Sequence, residues 1–276
     1  MKPSIRTPLL IIIAVVAVSL INSRGTRAKD DWLPIDPADL ALKDNPLSPG
    51  AHAMILYREN SIDAKESSVI EYDRIKIFTE EGKKWGDVEI QFDKSSADIK
   101  DIRARTIRPD GSVAVFQGKV YDKEIVKAGG IKYLAKTFSL PEVQPGCIVE
   151  YKYRTQYDSN YYVSIEWLVQ SDLFTRLAKF SIMPDTSAYA PPLYSREYGI
   201  PGGNKPEKQK NGSITMEVHS LPGLEQEDYM PPQNSLRARI AFFYRDRDDP
   251  QNETPDQFWK RMGKAWDSQL EKFVDQ

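Results

Sequence analysis

From Ala51 to Tyr244 apolar and polar residues alternate with period two, in short runs cut by glycine and proline turns. No other feature constrains the fold as much, because successive side chains of a strand point to opposite faces. In Tyr161–Val169, one face carries Tyr161, Val163, Ile165, Trp167 and Val169, and the other Tyr162, Ser164, Glu166 and Leu168. Val149, Tyr151 and Tyr153 oppose Glu150, Lys152 and Arg154. Ile214, Met216 and Val218 oppose Thr215, Glu217 and His219, while Leu236, Ala238, Ile240, Phe242 and Tyr244 share a face. Half-polar strands of this kind form antiparallel sheets with one packed and one wet face. The expected class is therefore all-β, an antiparallel β-sandwich-like domain.

The turns between the runs are legible. Pro109-Asp110-Gly111 predicts a bulged hairpin, with Pro presetting φ and Gly supplying a positive φ. Pro145-Gly146 predicts a turn before Ile148, and Asn211-Gly212 predicts a two-residue type I′ hairpin. Glu81-Gly82 predicts a hairpin closing after Ile75–Thr79. In Val69–Thr79 the apolar phase slips between Tyr72 and Ile75, which implies a β-bulge or a strand passing from one sheet to another.

The ends read differently. Residues 1–28 have the form of a signal peptide or an N-terminal anchor: Lys2 and Arg6 precede an apolar run over residues 9–21, and Thr26 and Ala28 form a small-residue cleavage site. The run is short for a membrane-spanning helix, which needs about 18 or more apolar residues. An exported, periplasmic or cell-envelope location is expected. Without these residues the chain holds 34 basic against 40 acidic residues, a balance that disfavours nucleic acid. Residues 29–50 form an irregular lead-in with a short helical turn near Pro37–Leu42, and residues 51–245 form the β domain. Residues 246–276 hold a charged linker and an amphipathic helix, opened by Thr254 as N-cap, Pro255 and Gln257. Phe258, Met262, Trp266 and Leu270 recur at steps of four, beside Trp259, Phe273 and Val274, and such a stripe needs something to pack on.

No catalytic constellation is visible. A nucleophile needs a base, and Cys147, His52 and His219 are far apart in the sequence. Two histidines and one cysteine are a poor zinc set. The doublets Gly129-Gly130 and Gly202-Gly203 match no phosphate or dinucleotide fingerprint, so no cofactor is expected. Three weaker readings stay open. Tyr157, Tyr161, Tyr162 and Trp167 could form a carbohydrate- or envelope-binding platform, although aromatic residues in strands usually pack in the core. A carboxylate pair could serve a glycoside hydrolase. Glu225-Gln226-Glu227-Asp228 before Tyr229 reads as a solvated loop with a docked aromatic, or as a partner contact.

Three blocks then point to a family. They are YDRIKIFTEEGKKWGDVEIQFD (Tyr72 to Asp93), DIRARTIRPDGSV (Asp101 to Val113) and FSLPEVQPGCIVEYKYR (Phe138 to Arg154). In order and spacing they resemble a bacterial domain of unknown function that precedes transglutaminase-like domains in exported proteins. The resemblance spans Ala51 to Tyr244, and the stretch Tyr229-Met230-Pro231-Pro232 resembles the family's end region. It implies a non-catalytic, sandwich-type accessory domain, with any cysteine-peptidase-like chemistry carried by a following domain. Cys147 stands where the family has an acidic or small residue, so it inherits no nucleophile's role. The helix resembles the segment leading into that following domain, whose docking face would be Phe258, Met262, Trp266 and Leu270. The chain then reads as the N-terminal part of a longer protein or as a stand-alone copy.

Overall fold

The structure, a computed structural model, describes residues 32–128, 131–158, 166–186, 193–225, 227–244 and 253–274. The elements below belong to the unit Ile35–Gln276. A short helix α1 (Pro37–Ala41) comes first, followed by β1 (Ala53–Asp63), β2 (Ser68–Ile77), β3 (Asp87–Asp93), β4 (Ala97–Ile107) and β5 (Val113–Val115). Next come β6 (Tyr121–Ala128), β7 (Ile131–Ser139), β8 (Ile148–Tyr157), β9 (Glu166–Leu168) and β10 (Thr175–Met183). The chain continues with β11 (Leu193–Tyr198), β12 (Glu207–Lys208), β13 (Ile214–Leu221), α2 (Gln233–Leu236), β14 (Arg239–Tyr244) and α3 (Pro255–Val274).

The described strands build one large and two small sheets. The large sheet has eight strands in the order β12-β13-β10-β1-β2-β8-β4-β5. The small sheets have three each, β3-β7-β6 and β11-β14-β9. Among the described residues every pairing is antiparallel except β1 with β10, which is parallel. The mostly antiparallel, sandwich-like class expected from the alternation is the class observed.

One face of the large sheet carries the core, in two separate clusters. Ile55, Ile75, Ile77 and Val149 pack on Ile90, Phe92 and Phe138 of the first small sheet. Ile62, Phe180, Met216 and Val218 pack on Trp167, Ile240 and Phe242 of the second. The two small sheets thus cover two parts of one large face. The opposite face is not simply wet. Met54, Ile107 and Ile148 are covered by Ile35, Leu40 and Leu42 of the lead-in. The lead-in is pinned there by a bidentate ion pair from Arg176 to Asp39 at 2.5 and 2.9 Å. It also accepts a hydrogen bond from the Lys76 ammonium at the carbonyl of Leu40. Burial pushes the Lys76 amine below its ordinary value.

Several local expectations change. Glu150, placed by alternation on a polar face, is fully buried. It accepts hydrogen bonds from Arg74, from Arg105 at 2.5 Å and from Tyr72 at 2.8 Å. Burial of these four side chains needs their polar groups to pair with one another. Glu81-Gly82 closes no hairpin; it opens a 3-10 helix over Glu81–Gly86 that carries the chain from β2 into the other sheet at β3. Gly82 is required there, since a Cβ would lie 2.1 Å from the carbonyl oxygen of His52. Asn211-Gly212 forms a three-residue bulged loop instead of type I′: Gln209 bonds Ser213, and Gly212 alone takes a positive φ, +88°. The Asn211 side-chain oxygen accepts from the Ser213 amide at 3.0 Å, which stabilises a turn without positive φ at Asn211. Pro109-Asp110-Gly111 builds the same loop, as expected, with Gly111 at +84°. The phase slip in β2 coincides with a bulge, but the irregularity lies in the facing strand, between Ile55 and Tyr57 of β1.

Helix α3 begins with the expected capping box. Gln257 accepts from the Thr254 amide at 2.9 Å, and Thr254 Oγ1 accepts from the Gln257 amide at 3.3 Å. Arg261 forms a two-point ion pair with Glu253. Among the described residues no helix is long and apolar enough to cross a membrane.

Candidate functional site

Where the two small sheets leave the large one uncovered, a cleft of about 630 Å³ opens between the two core clusters. Its floor is the middle of β1, β2 and β8. Its walls include Glu89 and Gln91 of β3 on one side and Glu166 and Leu168 of β9 on the other. Both walls are sheet edges, since β3 and β9 are terminal strands of their sheets.

The register puts the floor together. Arg58 faces Asp73, and Asn60 faces Glu71, across β1 and β2. Asp73 in turn faces Tyr151, and Glu71 faces Tyr153, across β2 and β8. Arg58 grips Asp73 at two points, 2.8 and 3.2 Å, and the Tyr151 hydroxyl donates to the same carboxylate at 3.0 Å. The Tyr153 hydroxyl donates to Glu71 at 2.8 Å.

The electrostatics of the two carboxylates differ. Burial pushes the Glu71 carboxyl above its usual range; the Tyr153 hydrogen bond and Arg58 act against the shift, and the charge of Asp73 adds to it. Burial also raises the phenols of Tyr151 and Tyr153, helped by the neighbouring carboxylates. Burial opposes the charge of Arg58, but Asp73 more than offsets it and the guanidinium is held more firmly protonated. Two carboxylates thus share a cleft, two residues apart on one strand and so about 7 Å apart at their backbones. Arg58 and Tyr151 already occupy both Asp73 oxygens, which suits a structural acceptor better than a nucleophile.

Of the four residues expected from the sequence to form a platform, Trp167 and Tyr157 lie in the described structure. Trp167 is 1% exposed and packs against Phe242 at 4.5 Å and Phe180 at 5.4 Å. It is a core residue, as the alternation of its strand face requires. Tyr157 is half-buried and lines a second cleft of about 310 Å³, together with Glu71, Tyr133 and Tyr153. Tyr161 and Tyr162 lie outside the described residues. Tyr229 is fully exposed at φ +64°, so the aromatic expected to dock beside the acidic loop is free of the surface.

The groups considered for nucleophilic chemistry stay apart. Cys147 is fully buried in the first core cluster, and burial raises its thiol. His52 Nδ1 lies 2.9 Å from Thr79 Oγ1 at the surface, and His219 is exposed beside Glu217. Among the described residues no group of His, Cys, Asp and Glu could hold a metal ion.

The cleft residues Glu71, Asp73, Arg58 and Tyr151, and the Glu71 partner Tyr153, were not singled out by their sequence. One signal was there: four polar residues in succession, Glu71-Tyr72-Asp73-Arg74, inside a strand flanked by Val69, Ile70 and Ile75.

On helix α3, Phe258 and Leu270 are exposed, Trp266 is 66% exposed, and Met262 is half-buried. The expected stripe therefore faces outward along most of its length.

Residues 64–224 match the model of a domain of unknown function with solved structure, DUF3857. The chain belongs to this family. The DUF3857 region takes in every residue of the cleft floor on β2 and β8, while Arg58 and Asn60 lie just before it. No curated protein matches the chain. Among solved structures it is similar to a putative protease from Parabacteroides distasonis, at 16% identity and a TM-score of 0.57. That match covers 69% of this chain and 40% of the other, so the chain spans less than half of that protein's length. This similarity establishes a shared fold. Leukotriene A4 hydrolase from Saccharomyces cerevisiae aligns at 12% identity and a TM-score of 0.31, over 76% of this chain and 33% of its own. An M1 zinc metallopeptidase from Deinococcus radiodurans aligns at 8% and 0.32, over 73% and 45%.

Proposed function

We propose that this DUF3857 chain is a non-catalytic, extracytoplasmic β domain that acts as a scaffold or recognition module for a transglutaminase-like domain. The observation that carries the reading is the outward apolar stripe of α3, with Trp259, Trp266 and Leu270 at 70%, 66% and 60% exposure. A face of this kind favours a partner that covers it. We assign that role to a transglutaminase-like domain docked on Phe258, Met262, Trp266 and Leu270. Two further observations support an accessory role. The shared fold occupies only 40% of the Parabacteroides protein, which leaves room there for a separate peptidase domain. Cys147, the one cysteine, is sealed in the core with a raised thiol, a poor state for a nucleophile. The basic start and the apolar run over residues 9–21 support export.

Two measurements test the proposal. The purified chain should release no product from casein and incorporate no amine into glutamine peptides. Turnover that Cys147→Ala abolishes would overturn the non-catalytic role. The transglutaminase-like domain encoded nearest to this chain in its genome should be retained on the immobilised chain, and Trp266→Glu with Leu270→Glu should release it. Equal retention by the native and doubly substituted chains would remove α3 as the docking face.

A further inference from the structure

We infer that the cleft between the two small sheets binds a primary ammonium group, the side chain of a lysine carried on an extended peptide. The inference rests on the balance of donors, acceptors and charge on the floor, and is independent of the α3 stripe.

Much of the floor's donor capacity is already directed at its own carboxylates. Arg58 and Tyr151 give their hydrogens to Asp73, and Tyr153 gives its hydroxyl to Glu71. Acceptors remain. A carboxylate offers about four lone-pair sites, and Glu71 receives one hydrogen bond, from a neutral phenol. Directly opposite it in the β1–β2 register, the Asn60 side-chain oxygen is buried and accepts nothing. A buried acceptor left without a donor costs roughly 1–3 kcal/mol, which a ligand donor would relieve.

Charge points the same way. Arg58 and Asp73 cancel, so the charges left on the floor are negative: Glu71 when ionised, and Glu59, which also lines the cleft and accepts from the Tyr57 hydroxyl at 2.6 Å. On the walls, Glu89 is already paired with Lys123, and Glu166 with Arg239. The site therefore lacks one cation and three or so donors, and an ammonium supplies three donors, one positive charge and no acceptor. An anion would face the ionised form of Glu71, with Arg58 and Tyr151 already turned toward Asp73.

The shape selects the carrier. Ile55, Ile75, Trp85 and Leu168 give the cleft apolar surface along which a lysine's methylene stem can lie while its head reaches Glu71. The edge strands β3 and β9 on either side bring backbone groups that an extended peptide can pair with, as in strand addition. A volume of about 630 Å³ is within the usual range of ligand clefts.

Calorimetric titration of the whole chain tests this with four probes: acetyl-Ala-Lys-Ala amide, its norleucine counterpart, n-butylammonium chloride and glucosamine. The lysine peptide should bind saturably and at least about tenfold more tightly than the norleucine peptide, which keeps the stem and lacks the charge. Glu71→Gln should weaken the lysine peptide by about tenfold or more, and Asn60→Leu by a smaller factor, with the circular dichroism of both variants unchanged. Equal binding of lysine and norleucine peptides, no saturation by about 10 mM, or an affinity unaffected by both substitutions would overturn the site. Butylammonium or glucosamine binding as tightly as the lysine peptide would overturn the peptide as carrier.

Discussion

Two charge networks sit back to back on β2 and β8, and they are completed to different degrees. On one face Glu150 is fully buried and held by Arg74, Arg105 and Tyr72. Two guanidiniums and a hydroxyl saturate one carboxylate and tie β2, β8 and β4 together. On the other face, one residue away along each strand, Asp73 takes the guanidinium of Arg58, and Glu71 has only the Tyr153 phenol. The residue types are the same. What differs is closure: in the first network two guanidiniums and a hydroxyl converge on one buried carboxylate, whereas in the second Glu71 accepts from a single phenol at the floor of an open cleft. A closed buried network is a cross-link. An open one facing solvent can serve as a binding site.

Substitutions can break or sharpen this contrast. We predict the largest effect for Glu150→Ala, a loss of about 3–5 kcal/mol, because two buried arginines lose the carboxylate they share. Urea denaturation followed by tryptophan fluorescence measures it, and a loss under about 1 kcal/mol would mean that the network is not a cross-link. Trp167→Ala should cost a similar amount, about 3–5 kcal/mol, as a large core truncation; a soluble variant of native stability would return Trp167 to the list of candidate ligand contacts. Asp73→Ala should cost less, about 1.5–3 kcal/mol, since it removes charged hydrogen bonds from a partly wet site.

Glu71→Gln should act through pH. The folded carboxyl is raised above its ordinary value of 4.5, so the folded state holds that proton more tightly than the unfolded chain. The stability this contributes is complete below about pH 4.5 and is lost as pH rises through the folded value. Arg58, Asp73, Tyr151 and Tyr153 are the charged and titratable groups around it, and Arg58 and Tyr153 limit the shift. Denaturation midpoints from pH 4 to 8 should therefore fall in the native chain relative to the Gln variant. Parallel curves would show that Glu71 makes no contribution to the pH dependence of stability. The smallest effect is expected at Trp266→Glu, within about 0.5 kcal/mol, because that side chain is exposed; a large loss of stability would show the stripe packed against the β domain.

The strands, the Pro-Asp-Gly turn, the capping box of α3 and the mostly antiparallel class were legible because each depends on neighbours in sequence. The Glu81-Gly82 and Asn211-Gly212 turns were misread for a tertiary reason in the first case and a local one in the second. Gly82 is required by the approach of His52, 30 positions earlier, and Asn211 is held by its own side-chain bond to Ser213. The cleft was legible only as an anomaly, the polar run at Glu71–Arg74 that disturbed the strand pattern.

By itself the sequence determined which residues share a face of each strand, since the period of two is a property of the backbone. It could not determine what covers each face. Glu71 and Arg74 are both polar positions of one strand, and alternation assigns them only to opposite sides. Register with β1, β8 and β4, together with the two small sheets stopping short of each other, put one side chain in a closed ion cluster and the other in a cleft. Those pairings join residues up to about eighty positions apart, and burial and charge balance are decided there.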